Sequence, residues 1–138
     1  APKAELSAAV IASPDRAYSE VFQDWASWLR GGILDAVLLM SYSESVPLVA
    51  EQSRYAVAKS SPGKVITGLG AWLMLDNPAL LAQEAKAANK TGVSGVTLFS
   101  YSNLLSSQGR TLVQQFCTLA GCPQSGALAV SPLRADAP

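Results

Sequence analysis

Short apolar runs of strand length alternate with longer segments of helical period along this chain. Strands are predicted at residues 6–12, 33–40, 64–70 and 93–99. Each is followed by a segment in which apolar residues recur every three or four positions, or in which helix-forming residues dominate. The alternation predicts four βα units that build a parallel sheet.

The signals that start and stop helices divide the chain in the same way. The first helix is predicted to run unbroken over residues 17–30, and Pro47 and Asn77-Pro78 fit the starts of the next two. Gly121 is placed to end the last helix. The first helix should face the sheet through residues at positions i, i+4, i+7 and i+8: Val21, Trp25, Trp28 and Leu29.

Two architectures fit four βα units in one chain of 138 residues. The first is half of a TIM-type (β/α)8 barrel, in which the strands lie side by side in sequence order. The alternative is a small open parallel α/β sheet, which in its doubly wound form changes the strand order and binds a ligand at the switch point. Residues 1–122 would form the folded unit and residues 123–138, rich in Pro and Ala, a flexible tail.

Composition narrows the chemistry that this fold can perform. Ten basic residues balance ten acidic ones, which disfavours nucleic acid as a partner. The absence of His excludes Ser-His-Asp systems and His-ligated metals, so no metal or cofactor is expected and carboxyl groups must carry any proton transfer. No apolar stretch approaches the roughly 18 residues of a membrane span, so no membrane-spanning segment is expected.

The two cysteines, Cys117 and Cys122, flank the predicted end of the last helix. They either form one disulfide, which would suit an exported protein, or leave Cys117 buried and Cys122 free. The first residues lack the basic start and apolar run of a signal peptide. We therefore expect either that a signal has been removed or that the chain starts within a longer protein.

Three groups of motifs together resemble a known family. They are Gln23-Asp24-Trp25 with Trp28 and Gly32, Leu34-Asp35-Ala36-Val37 with Met40-Ser41-Tyr42, and Gly68-Leu69-Gly70 with residues 95–101. In this order they resemble the C-terminal half of the family 10 glycosyl-hydrolase-like proteins. The resemblance covers residues 4–119. It implies strands five to eight of a bacterial (β/α)8 barrel that is exported, as a periplasmic, extracellular or lipoprotein-anchored protein, and that hydrolyses carbohydrate.

The same resemblance implies that this chain is half of an enzyme. The family carries acidic residues near strand four, and no corresponding segment precedes Ala1 in this sequence. We therefore expect the chain alone to be inactive. Either the missing N-terminal half completes the barrel, or two copies do so as a homodimer, or the half stands alone as an open sheet.

In a parallel α/β protein, functional residues collect where strands end and helices begin. The aromatic residues Tyr42, Trp72 and Tyr101 follow three of the predicted strands, and Asn103 lies close behind the last. We expect these four to bind a carbohydrate, since aromatic faces can stack on sugar rings. The alternative is that the aromatic rings pack beneath loops.

Glu44 and Asp76 are the candidates for the pair of carboxyl groups that glycoside hydrolysis requires. They follow neighbouring strands, so their side chains could converge. Alternatively, Glu44 is a solvated loop residue and Asp76 helps to start a helix. The leading hypothesis is thus a glycoside hydrolase half-barrel, and the alternative is a non-catalytic glycan-binding or protein-binding module.

Overall fold

The structure is a computed structural model that describes residues 4–60 and 64–122. The predicted tail, residues 123–138, lies outside the described residues. The strands are β1 (Ser7–Ile11), β2 (Ala36–Ser41), β3 (Val65–Gly70) and β4 (Gly95–Phe99). The helices are α1 (Pro14–Val21), α2 (Trp25–Arg30), α3 (Val46–Lys59), α4 (Pro78–Asn89), α5 (Tyr101–Leu104) and α6 (Ser107–Ala120), and a 3-10 turn, Ala71–Met74, follows β3.

The four strands form one parallel sheet in the order β1-β2-β3-β4. The α/β prediction is confirmed, as is the expectation that the strands lie in sequence order. Within the described sheet the order never reverses, so the switch point that a doubly wound sheet would offer a ligand does not exist here. Helices and strands alternate along the whole described chain.

The prediction of the first helix, residues 17–30, is wrong in two respects: the helix begins earlier, at Pro14, and it is divided into α1 and α2. Phe22 ends α1 in the left-handed backbone region with φ 58°. Gln23 Oε1 then accepts the Ile11 amide proton at 3.0 Å, and the Trp25 indole donates to the Ile11 carbonyl at 3.1 Å. Asp24 caps α2 by accepting from the Ser27 amide. These contacts to the edge of β1 require the break.

The residues that were predicted to face the sheet are more deeply buried in α2 than in α1. Trp25 and Leu29 are buried against the sheet, as predicted, whereas Val21 is 46% exposed. The strand after α2 also starts later than predicted, at Ala36, because the Ile33 amide still bonds to the Trp28 carbonyl and closes the helix. Ile33 therefore remains exposed rather than entering the sheet.

The other predicted helix boundaries agree with the structure. Asn77 Oδ1 accepts from the Leu80 amide at 3.1 Å, so Asn77 is the N-cap of α4 and Pro78 its first residue. Gly121 ends α6 with φ 76°, a left-handed conformation that glycine adopts without a steric penalty. The structure joins Cys117 to Cys122 in a disulfide across this end of the helix.

One face of the sheet carries the hydrophobic core. Val10 pairs in register with Leu39, Leu39 with Thr67, and Thr67 with Val96, so these residues share a face. Side chains from the helices pack on this set in two adjoining clusters, to which α5 contributes only the partly buried Leu104. A buried hydrogen bond of 2.8 Å between the hydroxyls of Ser53 and Thr67 ties α3 to the same face.

The opposite face lacks such a cover among the described residues. Its side chains come from the alternate strand positions, including Leu38, Met40, Ile66 and Phe99. All four are only half-buried and belong to neither core cluster. We call the first surface the helix-covered face and the second the open face.

Candidate functional site

Three aromatic side chains lie together at one corner of the open face, each at or just after the end of a strand. Tyr42 follows β2 directly, Trp72 lies in the 3-10 turn after β3, and Phe99 is the last residue of β4. The carboxyl ends of parallel strands lie at the same edge of a sheet, so residues distant in sequence meet here. We call these three residues the aromatic cluster.

The rings of the aromatic cluster pack at steep angles. The Tyr42 and Trp72 rings lie 4.6 Å apart with an interplanar angle of 72°, an edge-to-face arrangement. The Tyr42 and Phe99 rings lie 5.6 Å apart and are tilted by 58°. Such geometries are the favourable ones for aromatic pairs, so the contacts among the three rings stabilise the cluster.

Two glycines of β3 make room for these rings. A Cβ atom on Gly68 would lie 2.7 Å from the Leu39 carbonyl oxygen and 2.9 Å from the Phe99 ring. A Cβ atom on Gly70 would lie 3.3 Å from both the Trp72 ring and the Tyr42 Cβ. The Gly68-Leu69-Gly70 motif therefore lets the aromatic rings rest directly on the strand.

A pocket of about 380 Å³ opens beside the aromatic cluster. Its lining consists of the three aromatic residues with Ser100 and Asn103. The Ser100 hydroxyl donates to Asn103 Oδ1, which leaves the Asn103 amide group directed as a donor. Burial raises the pKa of the Tyr42 hydroxyl above its ordinary value, so this group is uncharged at neutral pH. The pocket combines apolar faces with neutral polar groups.

The sequence predicted three of the five residues that line this pocket. Tyr42, Trp72 and Asn103 come together, whereas Tyr101 is 59% exposed and lies outside the lining. Phe99 and Ser100 were not predicted. The signal that could have revealed Phe99 is its register with Gly70, which has no side chain to fill the space.

The two predicted carboxyl groups lie outside the pocket lining. Glu44 is exposed in the loop after β2. Asp76 is also exposed, and its Oδ1 accepts a hydrogen bond of 2.6 Å from Gln108 Nε2, which ties the turn after β3 to α6. The catalytic role of this pair stays a prediction.

A third carboxyl group, Glu84 of α4, was not predicted. Its side chain is fully buried on the helix-covered face, and neither carboxyl oxygen has a hydrogen-bond partner among the described residues. Burial raises its pKa from the ordinary 4.5 to about 7, and repulsion from Glu44 adds to the effect. Glu84 is therefore largely protonated in weakly acidic solution, and it does not line the pocket.

Residues 4–60 and 64–122 contain neither a cluster of metal ligands nor a membrane-spanning helix. Within residues 4–60 and 64–122, no three or more His, Cys, Asp or Glu side chains come together in a way that could hold a metal ion. No helix in these ranges has the length and apolar character needed to cross a membrane. Among the pockets at the strand exits, the one beside the aromatic cluster combines three aromatic residues from the ends of three strands with two polar side chains.

The chain matches no protein-family model, no curated protein and no solved structure in the three comparisons with known proteins. The likeness to the family 10 glycosyl-hydrolase-like proteins rests on the sequence motifs quoted above. Function must therefore be inferred from the geometry of the site itself.

Proposed function

We propose that the chain is the carbohydrate-recognising part of a glycoside-hydrolase-like (β/α)8 barrel, corresponding to strands five to eight. The observation that carries the proposal is the pocket in which Tyr42, Trp72 and Phe99 adjoin Ser100 and Asn103. It lies at the carboxyl ends of parallel strands, where barrels of this type bind their substrates.

The chemistry of the pocket suits a sugar ring. The C–H face of a pyranose is apolar and can stack on the half-buried Trp72 indole. Its hydroxyl and ring oxygens can then accept from the Asn103 amide or exchange hydrogen bonds with Ser100 and Tyr42. A volume of about 380 Å³ lies at the lower end of the range for small-molecule sites.

Hydrolysis would need more than this pocket supplies. A glycosidase uses two carboxyl groups on either side of the scissile bond, and none of the five lining residues is acidic. In our proposal at least one of these two carboxyl groups comes from an N-terminal half of the barrel outside these 138 residues, or from a second copy of the chain. We expect the purified chain not to hydrolyse glycosides, and turnover that is lost in Glu44→Gln or Asp76→Asn would contradict this.

A non-catalytic glycan-binding or assembly module is the second candidate. Asp76 favours it, because its carboxyl group is already engaged by Gln108 and serves to join two structural elements. As a glycan-binding module the chain would use the same pocket and the same ligand class as in the first candidate, whereas as an assembly module it would bind protein. The glycan-binding module and the hydrolase differ in whether added carboxyl groups convert binding into turnover.

The open face and the outer edges of β1 and β4, of which the Ile11 end of β1 is occupied by Gln23 and Trp25, suggest how the chain is completed. Uncovered apolar strands and unpaired edges favour association, so we propose either a homodimer or docking of the N-terminal barrel half. Light scattering of the purified chain tests the dimer, and a monomer at tens of micromolar would exclude it.

The Cys117–Cys122 disulfide supports the proposal that the protein is exported, since such bonds persist in oxidising compartments.

The decisive experiment for the proposal is a binding screen with paired variants. The chain is screened against immobilised oligosaccharides, and the best ligand is then titrated by calorimetry. Trp72→Ala should weaken binding at least about tenfold, because it removes the stacking surface. Tyr18→Ala removes an exposed aromatic ring on α1, away from the pocket, and should leave the affinity unchanged. Equal affinities for both variants, or no ligand at all, would refute the proposal.

A further inference from the structure

We infer that the pocket selects uncharged glycans and rejects sugars that carry a carboxylate, sulfate or phosphate group. This inference rests on the proposed function, because it names the class of glycan that the same site would take. It is based on the charge of the pocket lining and on the distribution of charge over the two ends of the sheet.

The lining offers nothing that could compensate a negative charge. Its polar groups are two hydroxyls, one amide and the Trp72 indole N–H, all uncharged, and it includes no Lys or Arg. A carboxylate that leaves water must be paired with a cation or with several donors, or it pays a large desolvation penalty. An uncharged hydroxyl or ring oxygen needs only one such donor, which Asn103 supplies.

Charged residues around the pocket add a further free-energy cost for binding an anionic sugar. Near the strand exits lie the acidic residues Asp15, Glu44, Glu51 and Asp76. Among the described residues, two basic side chains lie at this end: Arg16, which forms an ion pair with Glu20 at 3.1 Å, and Arg110 of α6. The potential at the strand exits is therefore negative, which disfavours the approach of an anionic sugar.

The opposite end of the sheet shows the reverse pattern. Basic residues collect at the last turns of helices or just before a strand, and they outnumber the acidic residues Glu5 and Asp35 there: Arg30, Lys59, Lys64, Lys86 and Lys90. This placement separates the charges of a chain whose net charge is zero. An anionic glycan would be attracted to the end that lacks the aromatic cluster.

The test compares two ligands that differ in charge. The neutral oligosaccharide that binds best in the screen is oxidised at C6 to give the corresponding uronic acid. Calorimetry at about 20 mM salt should show the oxidised form binding at least about tenfold more weakly, and about 500 mM salt should narrow the difference. Affinities within twofold of each other, or tighter binding of the uronic acid, would overturn the inference while leaving the proposed glycan function intact.

Paired variants separate the charge effect from the change in ligand shape. The double variant Glu44→Gln/Asp76→Asn should reduce the discrimination severalfold by strengthening binding of the uronic acid. The control Lys59→Gln/Lys86→Gln alters charge at the other end and should leave the discrimination unchanged. A discrimination that is the same in both double variants would show that charge at the strand exits does not determine it. If no neutral oligosaccharide binds, the proposed function itself fails first.

Discussion

The helix-covered face and the open face of the sheet are made from alternate residues of the same four strands, yet they are packed in different ways. On the helix-covered face, aliphatic residues such as Leu39 are fully buried beneath helices. On the open face, glycines leave space and a few aromatic rings fill it at one end. The hydrophobic core thus lies on one side of the sheet, and the proposed binding pocket lies on the other.

The largest expected difference between the two faces comes from neighbouring leucines of β2. Leu39→Ala should lower the free energy of unfolding by about 2–5 kcal/mol, because it leaves a cavity in a closed core. Leu38→Ala, on the half-buried open face, should cost less than about 1.5 kcal/mol. Denaturant unfolding of both variants measures the difference, and equal losses would mean that the open face is covered in solution.

The next effect concerns Glu84, the ionisable residue of α4 that is buried on the helix-covered face. Its pKa of about 7 in the folded chain exceeds the ordinary 4.5, so the folded state binds the proton more tightly than the unfolded state does. The free energy of unfolding should therefore fall by about 3 kcal/mol as pH rises from 4.5 to 7, and then level off.

Two glutamate variants test this assignment. Glu84→Gln should remove that part of the pH dependence, because the amide does not titrate. Glu51→Gln, at an exposed position of α3, should retain it. Urea unfolding at several pH values gives the comparison, and an unchanged slope in Glu84→Gln would assign the pH dependence to other groups.

The glycines of the open face give a smaller effect. Gly68→Ala should cost about 1–3 kcal/mol, because its Cβ would meet the Leu39 carbonyl oxygen and the Phe99 ring. Gly95→Ala is the matched control on the same face, with nothing within 4 Å of the added atom. A Gly68→Ala variant as stable as Gly95→Ala would mean that Phe99 does not rest on β3.

The smallest predicted difference compares two threonines. Thr67→Val removes the buried hydroxyl that bonds to Ser53, and should cost about 0.5–1.5 kcal/mol. Thr97→Val lies on the open face, opposite Gly68 in the register, and should be close to neutral. Thermal unfolding of both variants resolves the difference, and a larger loss for Thr97→Val would contradict the contrast between the faces.

Much of the fold could be predicted because its signals are local. The apolar runs, the Asn77-Pro78 start of α4 and the Gly121 end of α6 each depend on a few adjacent residues. The break after Phe22 could not be predicted in this way, since it follows from bonds that Gln23 and Trp25 make to a distant strand. Local pattern determines the elements, and tertiary contacts adjust their ends.

The candidate site was predictable to a smaller extent, for a related reason. Tyr42 and Trp72 could be identified because each follows a strand in the sequence. Phe99 occupies a strand position that local pattern assigns to the sheet, and its role depends on its register with Gly70. Glu84 lies in an alanine-rich helix whose sequence does not distinguish a buried acid from a solvated one.

The side chains that bond to Ile11 affect how the sheet could grow. Gln23 and Trp25 occupy the outward amide and carbonyl of the last residue of β1, so a strand added at this edge would have to stop short of Ile11 or displace both. Among the described residues, no side chain caps β4 in this manner. Capture of an extended peptide, or the first step of aggregation, should therefore begin at β4. The sheet then has one edge, at β1, that is partly protected by side chains, and one edge, at β4, that is open to extension.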